Sequence, residues 1–292
     1  MMFNQLQSII RNDIVALFTQ NADLFQLLGL NLFRAFATIL IVWAGVKSAL
    51  SAASGGPGFD FAKFADFLLV LTFGYAMIRY YATPIPGLGV SFYHLITDQA
   101  FILADRIGAQ AQNDLILKLE SLIQAITTWK LAAFSEYIVF LTILLIVLLA
   151  AIELVIFAVI SFGYIAIGVL TLVGPIFIPF FIVPRLDFLF WGWLKSFFQY
   201  AFYPVIANAF IFVIAKLLLE LLSPYTATSF TDFAYAMAKL PFLEIVLGAG
   251  IYGILKIPVL VNHIFSGSSG EGGGGMIQTA ASVASMAIRS VL

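Results

Sequence analysis

Cysteine is absent from the 292 residues, which excludes disulfides, thiolate metal sites and thiol nucleophiles without identifying a compartment. Charge is nearly as scarce. Asp, Glu, Lys and Arg together make up 10% of the chain, against roughly a quarter in a soluble domain. The net charge of −1 leaves no basic footprint for nucleic acid or anionic lipid, so any contact with DNA has to be local or transient. His94 and His263 are the only histidines. Neither is read as having a carboxylate or second histidine at ligand spacing, and each is expected to be an interfacial polar residue rather than a metal ligand or base. No Ser-His-Asp, zinc-helix or phosphate-loop pattern occurs, so neither an enzyme nor a cofactor is expected. The first thirty residues lack the basic start, short apolar core and cleavage site of a signal peptide, and insertion is expected to be led by the first span itself.

What remains is apolar. Hydrophobic residues make up 62% of the chain, and the mean hydropathy is +1.06. The runs are long and continuous, whereas a transmembrane barrel needs alternating segments of about ten residues. The expected class is therefore all-α: a polytopic transmembrane helical bundle of about five spans plus a re-entrant, proline-broken segment, with amphipathic periplasmic helices. The densest stretch, Leu131 to Leu222, has no charge between Glu153 and Arg185, longer than the roughly 20 residues that cross a bilayer as helix. Pro175, Pro179 and Pro184 then interrupt the hydrogen-bond ladder. Such a break is tolerated at membrane depth only where protein or a water-filled cavity satisfies the freed backbone groups. The stretch thus reads as the inside of an assembly.

Taken in order, residues 1–30 read as an external amphipathic helix, with Phe3, Leu6, Ile10, Ile14 and Leu17 on one face. Residues 31–82 form a first two-span hairpin, turned at Gly55-Gly-Pro-Gly58 and ending in Arg79, Tyr80 and Tyr81. Residues 83–132 leave the bilayer as two amphipathic helices, whose apolar faces are covered by the protein's own spans or by neighbouring subunits. The main bundle occupies 133–265. Phe134 to Gly163 forms one long span in it, Gly168 to Val183 a further span or a re-entrant segment, and Ser196 to Leu222 another. A polar loop, Ser223 to Lys239, leads through Pro241 into the last span, and 266–292 are a Gly-rich linker and tail. Basic residues flank the first loop and the aromatic turn Phe188 to Trp193, which places both in the cytoplasm, the N-terminus in the periplasm and the C-terminus in the cytoplasm.

Glu153, Lys216 and Glu220 are the intramembrane polar residues that stand out, because an ionisable group in hydrocarbon is costly unless paired or hydrated. Lys216 and Glu220 lie one turn apart, close enough to pair. Glu153 and Glu244 are expected to make inter-helix bonds or to line a hydrated path or subunit interface. Gly248-Ala-Gly-Ile-Tyr-Gly253 fits a dinucleotide-binding pattern, but it sits mid-span, where small residues serve close helix approach.

Gly174-Pro175, the Pro179-Phe-Phe run, Pro184, the Trp191-Gly-Trp193 patch and Lys256-Ile-Pro258 before a Gly/Ser-rich end together resemble the TrbL family. These are inner-membrane subunits of bacterial type IV secretion and conjugation machines, equivalent to the sixth protein of the VirB operon. The resemblance implies a homo-oligomeric ring in the inner membrane at the base of the secretion stalk, supporting DNA or protein translocation and pilus assembly. The partners it implies are copies of the chain itself, pilin and minor pilin, scaffold proteins, assembly ATPases, membrane lipids and, transiently, the translocated substrate. Gly174, Pro175, Pro179 and Pro184 would be assembly residues, and Trp191 or Trp193 would match the family's aromatic position. The alternative is a stand-alone membrane transporter or channel for a small solute.

Overall fold

The computed structural model describes residues 2–56, 58–127, 136–223 and 233–266. Helices take up nearly all of them, and no strand occurs among the described residues. The order is α1 (Met2–Ala53), α2 (Phe61–Arg79), α3 (Phe92–Thr127), α4 (Glu136–Phe177), a 3-10 helix (Ile178–Ile182), α5 (Asp187–Leu222), α6 (Phe233–Leu255) and α7 (Ile257–Ser266). Among the described residues, five stretches are long and apolar enough to cross a membrane: Gln20–Ala53, Phe61–Arg79, Val139–Ile182, Asp187–Leu221 and Pro241–Phe265. Their number agrees with the sequence reading. An all-α polytopic bundle is the class.

Several boundaries differ from expectation. The chain does not break near residue 30, since α1 runs without interruption from Met2 to Ala53. No proline or polar cluster lies there to stop it, so the segment expected to be a separate amphipathic helix and the first membrane-length stretch share one helix. The side chains of Phe3, Leu6, Ile10 and Ile14 lie outside the described residues, and Leu17 is exposed. Likewise α3 is one helix of 36 residues rather than two, because no breaker stronger than Gly108 interrupts it, and a single glycine is tolerated inside a helix. The segment from Gly168 on is not a separate re-entrant element. It continues α4 to Phe177, with Pro175 in the last turn, and the helix then tightens into the 3-10 segment that holds Pro179. Finally, α6 begins at Phe233, upstream of Pro241, inside the stretch expected to be a polar loop. The rest of that loop, and the linker and tail from Gly267, lie outside the described residues.

The first loop shows how local chemistry sets an element. Gly55 and Gly58 take φ of +78° and +70°, a left-handed backbone that glycine adopts without penalty. Asp60 then caps α2, its Oδ1 accepting from the Ala62 and Lys63 backbone N–H groups at 3.1 and 3.2 Å, with Lys63 Nζ 3.6 Å from Oδ2. The Lys63 backbone N–H holds the Asp60 carboxyl below its usual range, as a helix N-cap should.

The chain divides into two compact units. One gathers Met1–Ser8, Ala100–Tyr164 and Phe202–Asn262, with Leu119, Leu145, Leu149, Ile156, Ile211 and Leu247 in its core. Here Gly250 and Gly253 let α6 approach closely: a Cβ on Gly250 would meet Leu218 at 3.3 Å and Ile152 at 3.4 Å, and one on Gly253 would meet Ile214 at 3.0 Å. Two of the three glycines in the GxGxxG pattern are therefore occupied with helix packing. The other unit gathers Ile9–Gln99, Ile165–Ala201 and His263–Leu292, with Phe33, Phe67, Ile78, Ile182, Phe190 and Phe197 buried in it.

Candidate functional site at the Gly-Pro junction

Proline has no N–H, so Pro175 in α4 leaves the carbonyl of Thr171, four residues back, without its helical donor. Tyr81, just beyond the end of α2, supplies the replacement: its hydroxyl donates to the Thr171 carbonyl at 2.7 Å. One residue earlier, the Leu170 carbonyl accepts from Trp193 Nε1 of α5 at 3.0 Å. The broken end of α4 is thus closed by two side-chain donors from two other elements, which is how an interrupted ladder can persist in an apolar setting.

Sterics fix the same point. A Cβ on Gly174 would lie 2.6 Å from Tyr81 Cζ and 2.7 Å from Trp193 Cζ2, distances no methyl tolerates, so only glycine admits both donors. On another side α1 presses against the proline: a Cβ on Gly29 would stand 2.8 Å from the Pro175 carbonyl carbon. One turn before it, the buried Gln26 donates from Nε2 to the Ile78 and Arg79 carbonyls at 2.9 and 2.8 Å. These carbonyls, at the C-terminal end of α2 where helical donors run out, also accept from the Tyr81 N–H and the Thr83 hydroxyl, and Gln26 adds a tie from α1 to the turn that presents Tyr81.

Aromatic rings surround the junction. Trp193 stacks on Phe197 with centroids 5.5 Å apart and lies 6.4 Å from Tyr81. Tyr93, in the first turn of α3, sits 6.0 Å from Tyr81 and 4.4 Å from Phe18. Burial, with Tyr93 alongside, raises the Tyr81 phenol well above its ordinary range, so it remains a proton donor. Burial, with Asp98 nearby, pushes Tyr93 up to about 12.

The two tryptophans are not equivalent. Trp193 is buried and bonded at the junction, whereas Trp191 is half-buried and packs edge-on against Phe181 and Phe190. Pro179 is buried in the 3-10 segment and Pro184 lies in the turn that follows. Glu153, Lys216 and Glu220 belong to the other unit and take no part in the junction. Glu153 Oε1 and Glu244 Oε1 are buried without a hydrogen-bond partner. Lys216 does not pair with Glu220 among the described residues; its Nζ lies over the Phe212 ring at 6.0 Å, and both charged side chains are exposed.

The reading of His94 needs correction. Asp98 lies one turn on, the spacing at which helical side chains meet, and its Oδ1 is 2.8 Å from His94 Nδ1. The Tyr93 hydroxyl contacts His94 Nε2. His94 therefore has a carboxylate partner, although no group of three metal-binding side chains forms among the described residues.

Of the residues singled out in the sequence, Gly174, Pro175 and Trp193 meet at the junction and Trp191 packs beside it, whereas Tyr81 as a donor and Gly29 and Gln26 as contacts were missed. A signal for Tyr81 was present: a phenol at a helix end, in a chain with an orphaned carbonyl to satisfy. No curated protein matches the chain. A family model described as TrbL/VirB6 plasmid conjugal transfer protein matches residues 37–255, three quarters of the sequence, including the Gly-Pro junction, Tyr81 and both tryptophans. With five membrane-length helices and that match, the chain belongs to the TrbL/VirB6 family, a multi-pass membrane component of conjugal transfer systems.

Proposed function

We propose that this chain is an inner-membrane platform subunit of a type IV secretion machine, forming a homo-oligomeric ring at the base of the stalk. In this role it supports passage of DNA or protein and the assembly of pilin and minor pilin. Scaffold proteins, assembly ATPases and membrane lipids surround it, and substrate touches it transiently. The N-terminus and the Gly87 to Lys130 segment face the periplasm, and the C-terminus faces the cytoplasm. Gly174, Pro175, Pro179, Pro184, Trp191 and Trp193 act in assembly rather than in chemistry.

One observation carries this reading beyond family membership: the chain has more apolar helix than a bilayer needs. The 44 residues of Val139–Ile182 extend about 66 Å at 1.5 Å per residue, whereas the hydrocarbon core is about 30 Å thick. Tilt of up to about 40° shortens the projection but does not remove the surplus. Along α4, Phe140, Ile143, Val147, Leu154 and Phe162 remain exposed. A stand-alone carrier meeting only lipid matches its spans to the membrane, whereas a ring subunit has protein neighbours to cover the excess.

Size-exclusion chromatography with light scattering, in mild detergent or nanodiscs, tests the ring. A higher oligomer is expected. A uniformly monomeric or dimeric protein, together with wild-type conjugation frequency in cells expressing it, would sink the ring.

A further inference from the structure

The start of α3 is fastened to the end of α2. Backbone N–H groups that open a helix have no partner within it, and those of Phe92 and Tyr93 donate to the Tyr80 and Tyr81 carbonyls at 2.9 and 3.4 Å. The turn between the helices is closed on itself, with the Ile85 N–H donating to the Val90 carbonyl at 2.9 Å and Gly87 and Gly89 at φ of +87° and +70°. Side chains extend the connection outward. The Tyr93 hydroxyl contacts His94 Nε2, and His94 Nδ1 lies 2.8 Å from Asp98 Oδ1. A carboxylate only accepts, so Nδ1 carries the hydrogen, Nε2 is left as the acceptor, and the Tyr93 O–H donates to it. Inward, the Tyr93 ring centroid lies 4.4 Å from that of Phe18 and 6.0 Å from that of Tyr81, and Tyr81 holds the Thr171 carbonyl freed by Pro175. All of these groups belong to one compact unit.

The two ends of this connection differ in access. The His94 and Asp98 side chains are 40% and 48% exposed, whereas Tyr81 and Trp193 are buried. The bond from its hydroxyl to His94 fixes the far end of the Tyr93 ring, and Asp98 in turn fixes the imidazole. Freed of that bond, the ring can change its tilt against Phe18 and Tyr81, and Tyr81 is a donor on which the broken end of α4 depends. We infer that Asp98 and His94 form a surface-accessible latch on the Gly-Pro junction. The pair positions Tyr93, Tyr93 positions Tyr81, and a contact made on this exposed edge of α3 is passed to the end of α4. Close-packed interiors switch between discrete arrangements rather than deforming smoothly, so a change at the exposed pair can reach the buried donor. Both residues act through Tyr93 and are positioning residues. The latch requires neither a ring nor a given orientation in the membrane, and it stands or falls separately from the reading of the chain as a platform subunit.

Adjacency alone does not demonstrate coupling, so the test reads it at Trp193, which donates to the Leu170 carbonyl and lies 6.4 Å from Tyr81. Fluorotryptophan is incorporated into the full chain in nanodiscs, and the Trp193 and Trp43 signals in the fluorine NMR spectrum are assigned by their loss in Trp193→Phe and Trp43→Phe. Trp43 is exposed on α1 and serves as the reference. Asp98→Ala and His94→Phe, in preparations that elute like the unsubstituted protein, are each expected to shift the Trp193 signal by more than its linewidth and to leave Trp43 in place. Asp23→Ala, which removes an exposed charge from α1, is expected to move neither. Tyr93→Phe keeps the ring, deletes the hydroxyl and should reproduce the Trp193 shift. Adding Asp98→Ala to Tyr93→Phe should then move the signal no further, because the two sites have been disconnected. A Trp193 signal unmoved by Asp98→Ala overturns the latch. So does an Asp98→Ala shift that persists in full beside Tyr93→Phe, since the effect then bypasses the phenol. Asp98 is half-exposed, so its variant decides the matter even where His94→Phe fails to fold.

Discussion

At Pro175 a missing N–H orphans one carbonyl, and a phenol 90 residues upstream in the chain meets it. Replacing that phenol with Phe keeps the ring and its packing but removes the donor. The buried Thr171 carbonyl then stands unsatisfied at a cost of about 1–3 kcal/mol, so Tyr81→Phe is expected to lower the unfolding temperature of the detergent-solubilised protein. An unchanged midpoint would mean that the bond contributes nothing. Gly174→Ala should do more harm, because its methyl would collide with Tyr81 and Trp193 at once, and overpacking costs about 1–3 kcal/mol or more. Gly192→Ala is the internal control: nothing lies within 4 Å of a Cβ there, so it should be neutral or mildly stabilising. The tyrosines also set an alkaline limit. Both Tyr81 and Tyr93 have their folded values raised above the roughly 10 of an unfolded chain. The neutral form is favoured by folding, and the stability this gives is whole below pH of about 10. It is lost as pH rises toward the Tyr93 value of about 12. Melting temperature recorded from neutral to strongly alkaline pH should fall across that window, and less steeply in Tyr93→Phe.

Elements were legible where period and composition agreed, and illegible where a tertiary partner decided the outcome. The number of membrane-length helices could be counted from apolar run length alone. The end of α4 could not, because a proline normally stops a helix unless another part of the chain satisfies its freed acceptor, and Tyr81 and Trp193 arrive from far away in sequence. For α1 the reason differs: the helix is continuous from Met2 to Ala53, and only expected membrane geometry suggested a break. His94 and Asp98 were a local signal, one turn apart on a helix, and were overlooked rather than hidden. The small residues of α6 were read as packing, and the structure places Gly250 and Gly253, but not Gly248, against neighbouring side chains. Gly253→Leu is therefore expected to wedge α6 away from α5 and lower thermal stability, while Gly248→Leu leaves it nearly unchanged. Equal effects of the two would mean that the helix docks by another face.

For the molecule as a whole, composition was enough to establish a membrane bundle, and the ordered Gly-Pro and Trp features were enough to suggest its family. Orientation follows only from the placement of basic residues, which acts during insertion and leaves no mark on helix packing. It therefore needs its own measurement. Arg185 and Lys195 bracket the start of α5, and Lys47 and Lys63 bracket the first loop, so the proposed orientation puts both turns on the cytoplasmic side. The same orientation predicts that the Pro84 to Val90 turn faces the periplasm. With no native cysteine to confuse the readout, single cysteines replacing Ser54, Val90 and Asp187 can be treated with a membrane-impermeant maleimide in intact spheroplasts. Ser54 and Asp187 should stay unlabelled until the membrane is opened, whereas Val90 should react at once. Because the two turns are separated by two membrane-length stretches, Phe61–Arg79 and Val139–Ile182, with α3 between them, their agreement tests the parity of the crossings as well as their direction. Labelling of Asp187 but not Ser54 from outside would change the number of crossings between them, and labelling of both would invert the whole protein.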